Sequence, residues 1–232
     1  MVKHENIVKY GVSNELLLKY PILWEFSNIK KYNKKEVIYR EGSEGNYIYI
    51  LLKGVLITYR INSKGQQRLF KFIKPNEIYG NIILNSDFNH IMTVEALEPV
   101  VNLEISRHYL EQIVLKHPDI LLFLYKDISQ KFSERTIWFD NNFLTAEGRI
   151  LKCIISLAQQ FGYKTKEGIK LNINITQDDL ARYSHTNRVT VAKLQHKLNS
   201  LGIIRTKPKP WLILQIDELV KILSDLELDY NV

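Results

Sequence analysis

From about Lys34 to Ser106 the chain reads as short apolar runs separated by turn residues. Tyr47-Ile48-Tyr49-Ile50-Leu51-Leu52 and Val55-Leu56-Ile57-Thr58-Tyr59-Arg60 are rich in β-branched and aromatic side chains, which suit a pleated, half-buried surface. Lys53-Gly54 supplies a turn between them, Asn62-Ser63-Lys64-Gly65 closes the next hairpin, and Leu69-Phe70-Lys71-Phe72-Ile73 follows, ending at Lys74-Pro75-Asn76. Repeated strand–turn units of this spacing predict a small antiparallel barrel or roll. Its aromatics Tyr47, Tyr49, Tyr59, Phe70, Phe72 and Tyr79 are expected to be mostly core.

The period changes after His117-Pro118. Leu121, Tyr125, Ile128, Phe132 and Phe139 recur at spacings of four and three, with Arg135 at the intervening position, and the pattern runs to about Asn142. Packing on the chain's own barrel would produce such a seam. Its length and its start after a proline favour a protruding helix that pairs with a second subunit, with those five residues at the dimer interface. From Leu144 onward, helices mix with short strands. Glu147 to Phe161 predicts an amphipathic helix closed by Gly162, and Gly168 to Ile175 alternates apolar and polar residues as a strand does. Two short helices come next. Ile203–Thr206 and Trp211–Ile216 then predict a hairpin with Lys207-Pro208-Lys209-Pro210 at its tip, and a helix from Asp217 to Leu226 follows. The fold class expected is α+β: an N-terminal antiparallel β-roll, a long dimerisation helix and a C-terminal winged helix-turn-helix. The corresponding divisions are residues 1–115, 116–143 and 144–232.

Composition sharpens this picture in three places. No stretch approaches the roughly 18 unbroken apolar residues of a membrane span, and Met1–Asn6 lacks the apolar run of a secretory signal, so cytoplasmic residence is expected. The single cysteine, Cys153, excludes an intramolecular disulfide and a multi-thiolate cluster, and its apolar neighbours favour a buried hydrophobe over a redox thiol. Most informative is the charge. The chain carries a formal +7, and the stretch from Leu180 to Ile216 holds no Asp or Glu but contains Arg182, Arg188, Lys193, Lys197, Arg205, Lys207 and Lys209. An acid-free basic segment on a folded module points to a polyanionic partner.

The two short helices lie in that segment. Thr176 is a good N-cap, with Asp178 and Asp179 in the first turn, and Leu180 and Ala181 should face the core. Asn187 caps the second helix, which should bury Val191, Leu194, Leu198 and Leu201 and present Arg188, Val189, Ala192, Lys193 and His196. Helix, short turn and helix is the arrangement that places a second helix in the DNA major groove. The run from Ile175 to Val191 resembles the helix-turn-helix signature of the cyclic-AMP receptor and fumarate-nitrate regulator (CRP/FNR) family. Phe143-Leu144-Thr145-Ala146-Glu147-Gly148-Arg149-Ile150 resembles that family's junction between dimer helix and DNA-binding domain. Gly42, Gly54, Gly65 and Gly80 fall at its turn glycines, and Asn76 stands where a further glycine is usual. Together the likeness spans about residues 20 to 216.

The resemblance implies a homodimeric transcription regulator that binds a pseudo-palindromic double-stranded DNA site and works with RNA polymerase. It implies that Arg188 reads a guanine, that Lys193 reaches a base or phosphate, and that Thr176, Asn187 and Thr190 contact phosphates, with His196 on the same face. Lys207 and Lys209 would give general electrostatic contacts. The glutamate usual after that arginine is replaced by Val189. In the sensor, the family's pocket positions correspond to Tyr79, Gly80, Asn81, His90, Ile91, Glu134 and Arg135, and no phosphate-binding arginine stands at His90-Ile91. Cyclic AMP is therefore not expected, since an anionic phosphate would lose a charge-assisted partner. No cofactor or metal is expected, because His90, His108 and His117 show no metal-ligand spacing and read as surface or capping residues. The residues leave open an apolar or aromatic effector and no effector at all. Readings as a cupin-like barrel enzyme or a scaffold without DNA binding are disfavoured by the missing histidine clusters and by Arg188 and Lys193.

Overall fold

A computed structural model describes residues 8–80, 89–139 and 144–228, of which 134–139, 227 and 228 are described for the backbone only. The chain divides into two compact units, one of residues 1–60 and 70–135 and the other of 61–69 and 136–232.

The first unit begins with two short helices, α1 (Glu15–Lys19) and α2 (Ile22–Glu25), and continues with eight strands, of which the β4–β5 tip, residues 61–69, is counted in the second unit. These are β1 (Ser27–Tyr32), β2 (Val37–Tyr39), β3 (Tyr47–Lys53), β4 (Leu56–Ile61), β5 (Gln67–Ile73), β6 (Ile78–Tyr79), β7 (Thr93–Ala96) and β8 (Val100–Ser106). They form two four-stranded sheets, in the orders β1-β8-β3-β6 and β2-β7-β4-β5. The antiparallel roll expected from the turn spacing is thus present, as is the hairpin at Asn62–Gln66, where the Gly65 N–H donates to the Asn62 carbonyl at 2.9 Å. One inference from the turns fails. Lys53-Gly54 does turn the chain, but β3 and β4 do not pair; β3 lies between β8 and β6, and β4 pairs with β7. Gly54 carries the chain from one sheet to the other with φ +87°, and a Cβ there would stand 2.5 Å from the Pro99 carbonyl oxygen.

β3 is buried without a break from Ile48 to Leu52 because it packs on both of its faces. Ile48, Ile50 and Leu52 pack with Leu16, Leu17, Leu23, Val101, Leu103 and Ile105 on the helix-covered face, while Tyr49 and Leu51 pack with Tyr32, Tyr79 and Val100 between the sheets. A strand buried on both faces loses the polar half of its alternation. Asn76 has φ +71°, as its glycine-like position demands. It also does what glycine could not: its Oδ1 accepts the N–H groups of Ser13 and Asn14, fastening the entry to α1 onto the β5–β6 turn.

Helix α3 (Arg107–Lys116), capped by Ser106, precedes the long helix α4 (Pro118–Phe139). On α4, Ile120 and Leu124 are buried in the helix-side core of the barrel. Leu121, Tyr125, Ile128 and Phe132 lie instead among the exposed large hydrophobics, Tyr125 at 67% exposure. The seam is therefore not the face that packs on the barrel. The Phe139 side chain lies outside those described.

The second unit comprises α5 (Ala146–Phe161), β9 (Gly162–Thr165), β10 (Gly168–Leu171), α6 (Gln177–Tyr183), α7 (Arg188–Ser200), β11 (Ile204–Arg205), β12 (Leu212–Ile213) and α8 (Ile216–Leu228). Its sheet runs β11-β12-β10-β9. The strand expected to reach Ile175 ends at Leu171, because the Asn172 N–H turns to the Phe161 carbonyl at 2.7 Å; Ile173 and Ile175 stay buried without a ladder. Leu201, expected in the core, is 56% exposed: it is the C-cap of α7, and Gly202 at φ +68° turns the chain so that Ile203 takes the buried place. Cys153 is buried, and burial pushes its thiol well above the usual range. No described helix is long and apolar enough to cross a membrane.

Gly54 gives the first prediction. Gly54→Ala should destabilise the protein by about 2–4 kcal/mol, combining left-handed backbone with a collision against rigid backbone. Gly65→Ala, at φ +74° with nothing within 4 Å of the added Cβ, should cost about 1 kcal/mol. Urea unfolding of both variants is the measurement, and equal losses would contradict the sheet-switch role of Gly54.

Candidate nucleic-acid interface

The helix pair is assembled from caps. The Thr176 Oγ1 accepts the Asp179 N–H at 3.1 Å, and Asp179 Oδ2 accepts the Thr176 N–H at 3.0 Å, closing a reciprocal box at the start of α6. The Thr176 hydroxyl also donates to Asp179 Oδ2 at 2.6 Å. At the start of α7, Asn187 Oδ1 accepts the Thr190 N–H at 2.9 Å. Between the helices the chain passes through Ser184, His185 and Thr186, with His185 at φ +51°. Arg149 of α5 reaches this turn. Its Nε donates to the Ser184 carbonyl at 3.0 Å, its Nη2 to that of His185 at 3.4 Å, and its Nη1 to that of Leu144 at 2.8 Å.

Helix α7 is anchored by buried Val191, Leu194 and Leu198. Its opposite face carries Arg188, Val189, Ala192, Lys193 and His196, offsets of 0, 1, 4, 5 and 8 that stay on one side of a 3.6-residue helix. Val189 is 63% exposed, an apolar side chain presented to solvent at the first turn. Lys193, His196, Lys207 and Lys209 are exposed as well. The structure therefore gathers Asn187, Arg188, Val189, Thr190, Lys193 and His196 on or beside one helix face. Thr176 is at the start of α6, and Lys207 and Lys209 sit on the hairpin between β11 and β12.

Two refinements concern charge and neighbours. Acids from outside the acid-free stretch fold back onto it: Asp179 holds Arg182 at 2.6 Å, Glu167 holds Arg205 at 2.9 Å, and Asp178 lies 3.9 Å from Arg188. The cationic surface is thus weighted toward Lys193, Lys197, Lys207 and Lys209. Sequence reading also missed Gln177 and Gln195. Gln195 is buried within the apolar side of α7, where its Oε1 accepts from Gln177 Nε2 at 2.8 Å, and Gln177 Oε1 accepts from Arg188 Nε at 3.4 Å. The signal that could have revealed them is a glutamine between Leu194 and Leu198 on a helix whose other inward positions are aliphatic.

In the barrel, Tyr79 and His90 each lie against Tyr39, and Gly80 lies against Tyr49. His90 is buried, at 4% exposure, and stacks on Tyr39 with ring centroids 3.6 Å apart and planes 9° from parallel. The surface reading of His90 is therefore wrong: its backbone is pinned by the Ser43 carbonyl and the Gly42 N–H, which holds the ring inward. Tyr39 also approaches Tyr49 (5.5 Å) and Tyr79 (6.2 Å), and Tyr49 stacks on Tyr79 at 5.0 Å. Tyr39, Tyr47, Tyr49 and His90 line a cavity of about 410 Å³. Ile91 is exposed instead. Asn81 lies outside the described residues, as do the side chains of Glu134 and Arg135. His108 is exposed and pairs with Gln112, and His117 is the C-cap of α3. Among the described residues no three His, Cys, Asp or Glu side chains cluster as metal ligands would.

Burial lowers the His90 pKa to about 4. The unfolded chain, with an ordinary histidine near 6.5, then binds more protons than the folded one between those values. Stability from this group is complete above about pH 6.5 and falls as pH drops toward 4. Thermal melts from pH 7 to 4.5 should show that fall, and His90→Phe should flatten it. An unchanged slope in the variant would remove His90 as its cause.

The chain matches the family model of the cyclic nucleotide-binding domain over residues 29–117 and that of the Crp-like helix-turn-helix domain over residues 148–222. A global nitrogen regulator of Synechocystis sp. is 21% identical over 184 residues, covering 78% of this chain and 82% of that protein. An anaerobic regulatory protein of Bacillus subtilis is 22% identical over 187 residues, covering 80% and 79% respectively. Among solved structures, FixK2 from Bradyrhizobium japonicum shares the fold, with a TM-score of 0.72 at 19% identity over 84% of this chain and 96% of that one.

Proposed function

The chain belongs to the CRP/FNR family of transcription regulators, and from that premise we propose that it is a dimeric, sequence-specific DNA-binding regulator that places α7 in the major groove. One observation carries this: α7 is locked to its core by Val191, Leu194 and Leu198 while Arg188, Val189, Lys193 and His196 form its exposed face. Arg188 reads a guanine through its fork of donors, and Lys193 reaches a base or phosphate further along the groove. Asn187 and Thr190 stand at a helix N-terminus, where phosphate is favoured by the dipole and open N–H groups. Thr176 holds the equivalent place on α6, although its hydroxyl hydrogen already goes to Asp179. Lys207 and Lys209 add sequence-independent attraction to the backbone.

In this reading residues 1–115 sense, 116–143 pair the subunits and 144–232 bind DNA, acting in the cytoplasm with RNA polymerase as partner. Cyclic AMP is not the effector. A buried histidine held neutral and stacked on Tyr39 offers a cyclic phosphate no charge-assisted partner.

Selection of bound sequences from random DNA should return a pseudo-palindrome whose half-sites lie about 10 base pairs apart, and added cyclic AMP should leave it unchanged. On that site Arg188→Ala should cost about 1–3 kcal/mol and relax discrimination at one base pair. Lys207→Ala should weaken all sequences alike and reduce the salt slope by about one unit. Val189 can accept no hydrogen bond from cytosine, but its methyls can rest on a thymine methyl. Val189→Glu should therefore move the preference at its own base pair toward cytosine and leave the Arg188 base unchanged. Equal losses of specificity from Arg188→Ala and Lys207→Ala would mean that another element reads the groove.

The exposed seam of α4 supports the dimer, since a row of large apolar side chains two turns and more in length invites a second helix. Sedimentation equilibrium at micromolar concentration should give twice the chain mass, and Tyr125→Glu with Ile128→Glu should give a monomer of weakened DNA affinity. A wild-type monomer both free and on DNA would refute the pairing.

A further inference from the structure

The first turn of α7 is held by a polar relay that starts in the core. Gln195 lies on the same helix two turns beyond Arg188, and it is buried at 5% exposure among Val191, Leu194 and Leu198. Leaving a buried amide donor without a partner is costly, and Gln195 Nε2 has none among the described residues, yet its Oε1 accepts from Gln177 Nε2 at 2.8 Å. That bond fixes which way the Gln177 amide faces. With its nitrogen committed to Gln195, its Oε1 points to Arg188 and accepts from Nε at 3.4 Å. Asp178 lies on the same side, 3.9 Å from that Nε. The guanidinium is therefore approached along its Nε edge. Its two Nη groups are the donors that remain for the O6 and N7 acceptors of a guanine, which a bidentate contact needs side by side.

We propose that Gln195 and Gln177 are positioning residues that set the base specificity of Arg188, by presenting it to DNA already turned end-on. This rests on the reading of Arg188 as a base-contacting residue. A long arginine free to rotate would lose side-chain entropy on every productive encounter, and it could meet the wrong base through a single bond. Holding it before binding reduces the first loss and disfavours the second. The buried Gln195 thus acts on DNA without touching it, through one half-buried intermediary, Gln177.

The test uses the full-length protein and the selected site with all four bases at the pair whose preference Arg188→Ala erases. Gln195→Leu fits the aliphatic surroundings and should leave the melting temperature unchanged or raised. Gln177→Ala removes the same relay from the surface, should the core change disturb folding. Both should lower discrimination at that pair by about five- to tenfold while leaving affinity for unrelated DNA unaltered. Adding Gln195→Leu to Arg188→Ala should cost nothing further. Gln177→Glu should hold the guanidinium more tightly and weaken the preferred site. Retained discrimination in Gln195→Leu and Gln177→Ala, or losses that add in the double variant, would overturn the relay. If Arg188→Ala itself changes no base preference, it is the assignment of Arg188 that fails, and the relay with it.

Discussion

Arg149 donates from all three guanidinium nitrogens to backbone carbonyls, those of Leu144, Ser184 and His185, and the shape of the second unit follows from that contact. The end of α6 leaves carbonyls without helical partners, and they carry the negative end of the helix dipole. A cation lying across them satisfies both needs at once. Because Arg149 projects from the second turn of α5, the contact also fixes the angle at which α6 leaves the core, and hence where Asn187 starts α7. His185, held at φ +51° in this turn, is the point where the chain bends sharply enough for α7 to cross α6. The exposed face of α7 is thus aimed by a residue that need not touch DNA.

The barrel obeys a different constraint, the burial of one strand on both faces. β3 has a helix-covered side and an inter-sheet side, so its apolar run needs no polar alternation. Both edges of β3 are taken, by β8 and β6, so the chain cannot return beside it in a hairpin. Gly54 therefore sends it to the other sheet, passing so close to Pro99 that no side chain fits. Asn76 then ties the β5–β6 turn to the N-terminal segment that covers β3. The covering helices are thus held to the sheet by polar bonds at one left-handed residue as well as by the apolar packing of Leu16, Leu17 and Leu23.

Much of this was legible in the sequence because it depends on local rules. Gly42, Gly54, Gly65, Gly80 and Asn76 all adopt the positive φ that their positions suggested, and Thr176 and Asn187 cap the two helices as short polar residues do. What escaped notice depends on contacts distant in the chain. Nothing near Gly54 says whether the next strand pairs with the last one or leaves for another sheet. His90 reads as a surface residue until Gly42 and Ser43 pin its backbone and turn the ring onto Tyr39. Gln195 looks like an ordinary polar helix residue until its face is known to be buried. Leu201 fits the apolar stripe of α7 by spacing alone, yet the helix has already ended there.

The acid-free stretch shows how sequence and space diverge for charge. Along the chain the seven basic residues have no acid among them, but Asp178, Asp179 and Glu167 return in the fold to meet Arg188, Arg182 and Arg205. Arg182 thereby acquires a fixed direction and Arg188 and Arg205 an acidic neighbour, while Lys193, Lys197, Lys207 and Lys209 stay out in solvent. The division suits what each chemistry can do. A guanidinium is a rigid fork whose use depends on orientation, whereas an ammonium on a flexible stem attracts phosphate from almost any angle. An interface that both reads and grips needs the first kind held and the second kind loose. Asp178 and Asp179 lower the net attraction for DNA, and in return Asp179 holds Arg182 at 2.6 Å while Asp178 sits beside the Nε edge of Arg188.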